Sequence, residues 1–248
     1  MTSILITGAS AGIGAEIARR AAADGHDIGL NYRSDTAGAQ AVADEIRAFG
    51  RKVVLLKGDI SDAQQVAQVF ADHIAALGVP DAVVNNAGIV PPRGRALAVS
   101  TPEEIALVIN VNVTGAIYVA REAVRAMSLA RGGSGGVLVN ISSVAARTGS
   151  AGEYVDYAAT KAAIDTLTLG LAHEHARDGV RVVGIRPGLI ETGIHAKGGE
   201  PGRPERIAPA IPMGRVGQVG EIADAALFLI SDKASYITGT MLDISGGR

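Results

Sequence analysis

The stretch TGASAGIG (7–14) follows an apolar run, ILI (4–6), and decides the fold of the chain. It places Gly8, Gly12 and Gly14 between a strand-like segment and a helix-like one. Glycine lets the backbone approach a ligand closely and adopt dihedral angles that other residues avoid. Such a turn brings amide groups and a helix N-terminus towards an anion, usually a phosphate. The alternative is a tight strand-to-helix turn without a ligand, because a short glycine pattern alone is a weak signal.

The composition limits the class of protein. The chain has 248 residues, 48% of them hydrophobic, which is enough for one large α/β domain with a sizeable core. Its net charge of −2 gives no electrostatic sign of nucleic-acid or anionic-membrane binding. The absence of cysteine excludes disulfides, thiolate catalysis and cysteine metal sites. No signal-peptide pattern and no apolar run of membrane-spanning length stand out, so a soluble cytoplasmic protein is expected.

Short β-branched runs alternate with longer amphipathic stretches along the whole chain. Beyond the first run, the predicted strands are 26–32, 52–59, 81–88, 135–143, 179–188 and 239–245. The predicted helices between them are 36–50, 62–78, 101–127, 154–176 and 220–231. Strands that are apolar on both faces indicate a parallel sheet covered on both sides by helices. The sequence therefore predicts a doubly wound Rossmann-type α/β fold of about seven strands, as a single dinucleotide-binding and catalytic domain over 1–248.

One stretch, 193–218, is irregular and rich in glycine and proline. A long insertion on the ligand side of such a sheet is usually functional or disordered. We predict a mobile substrate lid, with a plain solvated loop as the alternative. His195 lies at the entrance of this stretch, where it would either contact the substrate or face solvent.

The stretch YVDYAATK (154–161) carries the clearest chemical signal. Tyr157 and Lys161 stand four residues apart at the start of a predicted helix, so both project from one face. A free tyrosine has a pKa of ~10, and a nearby ammonium favours the phenolate. Lys161 is therefore expected to lower the pKa of Tyr157 towards the range in which general acid–base catalysis is efficient. Such a pair alone is usually accidental.

Other polar residues are expected at the same edge of the sheet. Ser142 and Ser143 end one predicted strand, NNAG (85–88) ends another, and Asn112 lies in the helix that follows it. With the glycine turn and the Tyr-Lys pair, these parts face one crevice.

Over essentially its whole length, the chain resembles the single-domain branch of the short-chain dehydrogenase/reductase family. The residues that carry the resemblance are Thr7-Gly8, Gly12, Gly14, Asp59, Asn85-Asn86-Ala87-Gly88, Asn112, Ser143, Tyr157, Lys161, Pro187-Gly188, Thr192 and YITGTMLDISGG (236–247).

The resemblance implies a role for each residue of the predicted catalytic set. Tyr157 would protonate the carbonyl oxygen in reduction, or act as the base in alcohol oxidation. Ser143 would hydrogen-bond that oxygen and stabilise its developing charge. Lys161 would hold the nicotinamide ribose and lower the pKa of Tyr157. Asn112 would keep an ordered water in a proton relay through Lys161.

The resemblance also implies a set of cofactor contacts. Gly8, Gly12 and Gly14 would line the pyrophosphate turn, Asp59 would contact the adenine, and Asn86 would lie at the adenosine ribose side. Pro187, Gly188, Ile190 and Thr192 would flank the nicotinamide. The further expected cofactor-binding residues are Ser10, Ile13, Ile60, Ala87, Gly88, Tyr157 and Lys161.

The spacing from Ser143 to Tyr157 departs from the family pattern. It is 14 positions, one more than in most members, whereas Ser142 would be 15 positions away. Ser143 therefore remains the predicted residue, and its loop must absorb the extra length.

The end of the second predicted strand bears on the choice of dinucleotide. NAD enzymes of this shape carry an acidic residue there, whereas this chain reads Asn31-Tyr32-Arg33 with no carboxylate until Asp35. An arginine can pair with a 2′-phosphate, so Arg33 predicts a preference for NADP(H). NAD(H) is the alternative, because Ala11 stands where many NADP members carry Lys or Arg, and Arg33 would then only solvate a loop.

The predicted function is an oxidoreductase acting on a carbonyl or secondary alcohol: a sugar, a 3-oxoacyl thioester or a small ketone. The alternative, a non-catalytic dinucleotide-binding regulator, would have been favoured by loss of Ser143, Tyr157 or Lys161, all of which are present. No metal site is expected, because His173 and His175 point to different sides of their helix. A homotetramer or homodimer is implied by the resemblance alone.

Overall fold

Seven parallel strands form one sheet in the order β3-β2-β1-β4-β5-β6-β7. The computed structural model describes residues 2–91, 94–193 and 199–248. The strands are β1 (Ser3–Ile6), β2 (Asp27–Tyr32), β3 (Val53–Lys57), β4 (Ala82–Asn85), β5 (Gly136–Ile141), β6 (Val180–Pro187) and β7 (Met241–Ile244). The predicted doubly wound fold is confirmed, and the chain reverses its direction of winding between β1 and β4, where such folds open a ligand crevice.

Helices cover both faces of the sheet. They are α1 (Gly12–Ala23), α2 (Thr36–Ala48), α3 (Ala63–Leu77), α4 (Pro102–Ile109), α5 (Ala116–Met127), α6 (Ala145–Thr148), α7 (Val155–His175), α8 (Arg203–Ile207) and α9 (Val219–Ile230). One apolar core lies between the sheet and α1, α2 and α9, and a second lies between the sheet and α3, α5 and α7. Because aromatic residues are only 3% of the chain, small and aliphatic side chains fill both cores, and alanines let the helices approach closely.

The helix predicted over 101–127 is divided. Thr101 and Glu104 form a capping box at its start, and a π-helical turn, Asn110–Gly115, separates α4 from α5. Turns of this kind are frequent at functional sites, and this one carries Asn112. The sequence pattern did not show the change of helix type.

The same stretch corrects the expectation that no apolar run is long enough to span a membrane. Pro102–Met127 has 26 residues, and an 18-residue window within it has a mean hydropathy of 1.3, which suffices by length and composition alone. In the fold its inner face packs in the core, while Leu107, Ile109 and Ile117 remain exposed.

The predicted lid is more ordered than its composition suggests. Its described part contains α8, and Ile207 and Ile211 are buried against Leu189. Residues 194–198, including His195, lie outside the described residues, so the expectation for His195 stays a prediction.

His73 of α3 is a fully buried titratable group. Its Nε2 atom lies 3.2 Å from the hydroxyl of Ser3, and its ring occupies the space that a Cβ on Gly29 would fill. Burial lowers the pKa of His73 to about 4, although Asp81 acts in the opposite direction. The fold therefore requires the neutral imidazole.

We predict that the free energy of unfolding decreases as the pH falls from about 6.5 towards 4. An unfolded histidine takes up a proton near pH 6.5, whereas folded His73 resists protonation down to about pH 4. Its contribution is complete above pH 6.5 and decreases by about 3 kcal/mol across this window. His73→Gln should flatten this part of the profile, as measured by urea unfolding at several pH values. The exposed His173, changed to Gln, is the control, and an unchanged slope in His73→Gln would contradict the prediction.

Candidate active site

The predicted site residues follow the carboxyl ends of four neighbouring strands. The glycine turn follows β1, Asn86 and Gly88 follow β4, and Ser142 and Ser143 follow β5. β6 ends at Pro187, and the segment 188–192 follows it. Because the strands are parallel and adjacent, all four ends lie at one edge of the sheet, beside the crevice.

The glycine turn is tied to the end of β4. The hydroxyl oxygen of Thr7 accepts hydrogen bonds from the backbone N–H groups of Asn86 (2.9 Å) and Ala87 (3.0 Å). The side-chain amide of Asn86 donates in return to the carbonyl oxygens of Thr7 (2.8 Å) and Gly8 (3.2 Å). The amide nitrogen of Asn86 therefore supports the turn.

Close packing requires Gly8 and Gly14, whereas the space beside Gly12 is less crowded. A Cβ on Gly14 would lie 2.5 Å from the amide nitrogen of Asn86, and one on Gly8 would lie 2.9 Å from the Cα of Ala87. Gly12 has a φ of +58°, and nothing described lies within 3.8 Å of its Cβ position. Ala11, which precedes α1, provides no side-chain cap. Uncapped first-turn amides beside an open glycine fit a dinucleotide pyrophosphate.

Arg33 and Asp59 lie on the far side of this turn, after β2 and β3. The Arg33 side chain is 59% exposed, and its Nη1 atom lies 3.9 Å from the Asp59 carboxylate. Asp59 also accepts hydrogen bonds from the backbone and hydroxyl of Ser61. Ile60 is buried and packs against Gly115, so its side chain belongs to the core. Asp35 caps α2 by accepting from the N–H of Gly38.

The segment after β6 runs back to the glycine turn. The carbonyl oxygen of Pro187 accepts from the N–H of Val144 (3.0 Å), and the N–H of Gly188 donates to Ile244 (2.8 Å). A Cβ on Gly188 would lie 2.7 Å from the Cα of Ser245, so this close approach requires glycine. Ile190 is buried in a β-bridge to Gly217, and Thr192 carbons lie 3.8 Å from the Cβ position of Gly12.

The two serines after β5 have different partners. Ser142 Oγ is within 3.0 Å of the Lys161 carbonyl oxygen and 2.6 Å of the Asp165 carboxylate. Ser143 Oγ accepts from the N–H of Ala145 (3.1 Å) and is close enough to Tyr157 for its hydroxyl to oppose the rise in the pKa of that residue. Ser143 is thus the serine that faces Tyr157.

The turn between Ser143 and Tyr157 accommodates the 14-residue spacing. It contains Gly149 and Gly152, both with positive φ, and Ser150, a non-glycine residue with a φ of 45°. The carbonyl oxygen of Ser150 accepts from the N–H groups of Glu153 and Tyr154, which closes the turn before α7.

Lys161 and Asn112 lie beside Tyr157. The Lys161 ammonium donates to the carbonyl oxygen of Ile141 (2.9 Å) and is 5.7 Å from the centroid of the Tyr157 ring. The Asn112 side chain accepts from the N–H of Ile89 and donates to its carbonyl oxygen, both at 2.8 Å. These contacts fix the loop after β4 beside Lys161; the water relay stays a prediction.

Burial moves both ionisable groups towards their neutral forms. It raises the pKa of Tyr157, while the hydrogen bond from Ser143 and the charge of Arg203 act in the opposite direction. It lowers the pKa of Lys161 to about 8, against the effect of Asp165. The expectation that Lys161 brings the pKa of Tyr157 below its ordinary value is therefore wrong when only the groups of the protein act on Tyr157. Desolvation outweighs the opposing contributions, which come from Ser143 and Arg203.

Sequence analysis did not identify Arg203. The residue lies far along the chain from Tyr157, in the glycine- and proline-rich stretch, and belongs to no motif. The one available signal was its place in a segment predicted to cover the site.

The chain is similar to known proteins over nearly its whole length. A family model described as Enoyl-(Acyl carrier protein) reductase matches residues 8–248. The uncharacterized oxidoreductase YgfF of Escherichia coli K12 is 48% identical over 251 residues, which cover 100% of both chains.

Two solved structures with bound dinucleotides have a similar fold. A short chain dehydrogenase from Burkholderia cenocepacia J2315 in complex with NADP has a TM-score of 0.90 at 32% identity, covering 99% of this chain and 97% of that one. A 3-ketoacyl-(acyl-carrier-protein) reductase from Brucella melitensis complexed with NADH has a TM-score of 0.90 at 32% identity, covering 100% of this chain and 98% of that one.

Gly14→Ala should weaken the binding of NADPH and NADH together, by about tenfold or more, because the new methyl group would displace Asn86 or the Gly8 carbonyl. Dissociation constants from nucleotide fluorescence titrations measure the effect. Gly170→Ala in α7 is the control, since nothing described lies within 4 Å of its Cβ position. Unchanged affinity in a folded Gly14→Ala protein would show that the turn does not hold the dinucleotide.

Proposed function

This chain belongs to the short-chain dehydrogenase/reductase family of oxidoreductases, and we propose that it interconverts a carbonyl and a secondary alcohol with Tyr157 as general acid/base. The bound dinucleotide would supply the hydride in reduction and accept it in oxidation. The observation that carries the proposal is that Tyr157, Ser143 and Lys161 lie together at the edge of the sheet that also carries the glycine turn.

Each side chain has a defined task in carbonyl reduction. The Tyr157 hydroxyl transfers its proton to the substrate oxygen as the carbonyl carbon is reduced, and Ser143 stabilises the charge on that oxygen by a hydrogen bond. A raised pKa keeps Tyr157 protonated at neutral pH, which suits it as the acid. In alcohol oxidation the phenolate must accept the proton, so higher pH favours that direction.

Lys161 and Asn112 complete the proposed catalytic set. Lys161 is anchored to β5 through Ile141 and would donate hydrogen bonds to the nicotinamide ribose. Asn112 would organise the proton relay from the π-helical turn. The comparisons give no support for the non-catalytic regulator, because the relatives are named oxidoreductases or reductases.

We further propose that NADP(H) is the preferred dinucleotide. The support is the exposed guanidinium of Arg33, which follows β2 at the position where the 2′-substituent of the adenosine ribose would lie. Asp59 is 3.9 Å from this guanidinium and can be displaced as a partner by a 2′-phosphate. NAD(H) use is the alternative.

The proposed substrates are a sugar, a 3-oxoacyl thioester or a small ketone, handled in the cytoplasm. We propose assembly as a homotetramer or homodimer through α4, α5 and α7. Its support is the exposed apolar side chains Leu107, Ile109, Ile117 and Leu169, which lie on these helices.

Tyr157→Phe should reduce kcat by at least about a hundredfold, because the residue loses its transferable proton. The affinity for NADPH should stay within about threefold of that of the wild type. The assay follows NADPH or NADH absorbance with acetoacetyl thioester, diketones and ketoses, and the oxidised dinucleotides with glucose and secondary alcohols. Tyr236→Phe, at a fully exposed position, is the control. Retained turnover in Tyr157→Phe would exclude Tyr157 as the acid.

Arg33→Ala should raise the Kd for NADPH by about tenfold or more and leave that for NADH within about threefold. A charged hydrogen bond to the 2′-phosphate is worth about 1.5–3 kcal/mol, and NADH lacks this group. Arg47→Ala, an exposed arginine of α2 paired with Asp44, is the matched control. Equal losses for both dinucleotides, or no loss, would contradict the 2′-phosphate assignment.

A further inference from the structure

Part of the predicted lid is docked on the turn that presents Tyr157. This segment, Glu200–Arg206, contains Arg203, whose side chain is 12% exposed. The Arg203 guanidinium lies 4.6 Å from the ring centroid of Tyr154 and 2.8 Å from the carboxylate of Glu153. The contact combines a cation–π interaction with an ion pair.

Tyr154 joins this guanidinium to the proposed acid. It is 3% exposed, and its ring meets that of Tyr157 edge to face, with centroids 6.4 Å apart and planes at 71°. Its hydroxyl donates to the carboxylate of Glu200 (3.0 Å), which anchors the segment a second time. The two rings are thus flanked by Arg203 on one side and by Lys161 on the other.

We propose that Arg203 is a positioning residue for proton transfer: when Glu200–Arg206 docks on Tyr154, its guanidinium stabilises the phenolate of Tyr157. The proposal rests on the proposed function, since it matters only if Tyr157 is the acid/base. It makes the docked segment a determinant of the strength of the acid.

The other charged groups around Tyr157 have their own partners. Asp156 accepts the N–H of Tyr157 with one oxygen and pairs with Arg95 (3.1 Å) through the other. From α7, the Lys161 ammonium faces the ring and donates to Ile141; from β5, Ser143 contributes a neutral hydroxyl.

Two carboxylates at this contact act on Tyr154: Glu200 of the docked segment and Glu153 of the turn before α7. Together with burial they raise the pKa of Tyr154 to about 12, against the charge of Arg203, and Glu200 holds the Tyr154 hydroxyl itself. On Tyr157, the charge that opposes the effect of burial is that of Arg203.

Arg206 offers a matched control. It lies three residues beyond Arg203, is 54% exposed and pairs with the same carboxylate of Glu153 (3.0 Å). Its removal deletes an ion pair of the docked segment without removing the cation that stacks on Tyr154.

The test compares Arg203→Met, Arg203→Lys and Arg206→Met through the pH dependence of alcohol oxidation, which rises as Tyr157 ionises. The ionisation of Tyr157 is also measured without turnover, by titrating the tyrosinate absorbance of each protein. The titration of the same protein carrying Tyr157→Phe is subtracted, which leaves the signal of Tyr157. Arg203→Met should move both midpoints up by roughly half to one pH unit. Arg203→Lys should restore most of the shift, and Arg206→Met should leave both midpoints unchanged. Arg203→Gln replaces Arg203→Met if the latter does not fold.

The outcomes separate this inference from the proposed function. Unmoved midpoints in Arg203→Met, with turnover still dependent on Tyr157, would overturn the role of Arg203 alone. Equal shifts in Arg206→Met would also overturn it, because they would show a general effect of segment docking. Full turnover by Tyr157→Phe would overturn the proposed function itself.

Discussion

The reciprocal hydrogen bonds between Thr7 and Asn86 are the constraint on which the site depends. They join the end of β1 to the end of β4, next to the point where the sheet reverses its direction of winding. The side-chain amide of Asn86 donates to the carbonyl oxygens of Thr7 and Gly8. Because no side chain of the glycine turn is needed for this purpose, the outer face of the turn can stay open towards an anion. Gly14 has to be glycine for the same reason, since this amide occupies the place of a Cβ.

A second, buried polar network holds the helices of the candidate site against the sheet. Asn85 donates to Asn140 of β5 and to the carbonyl oxygen of Ala116, directly after the π-helical turn. Asn140 donates in turn to Thr168 of α7. Leaving such a buried group unpaired costs about 1–3 kcal/mol, so the network fixes both the helix that carries Tyr157 and the turn that carries Asn112.

Burial on this rigid frame gives the site its electrostatic character. Tyr157 and Lys161 are both displaced towards their neutral forms, the pKa of the tyrosine upwards and that of the lysine down to about 8, so the two values move apart. Tyr157 therefore keeps its proton at neutral pH. The proposed effect of Arg203, whose guanidinium lies against the ring of Tyr154, opposes this rise.

The sequence by itself determined the alternation of strands and helices, the glycine turn and the helical spacing of Tyr157 and Lys161. These features are local: each depends on residues within one turn or one hydrophobic period. The spacing already favoured Ser143 over Ser142, but only the tertiary structure gave the physical reason, because the carboxylate of Asp165 engages Ser142. It also decided the π-helical turn around Asn112 and the docking of Arg203 on Tyr154. These depend on contacts between segments far apart in the chain, and burial, which sets the direction of the Tyr157 pKa shift, exists only once those segments have packed together.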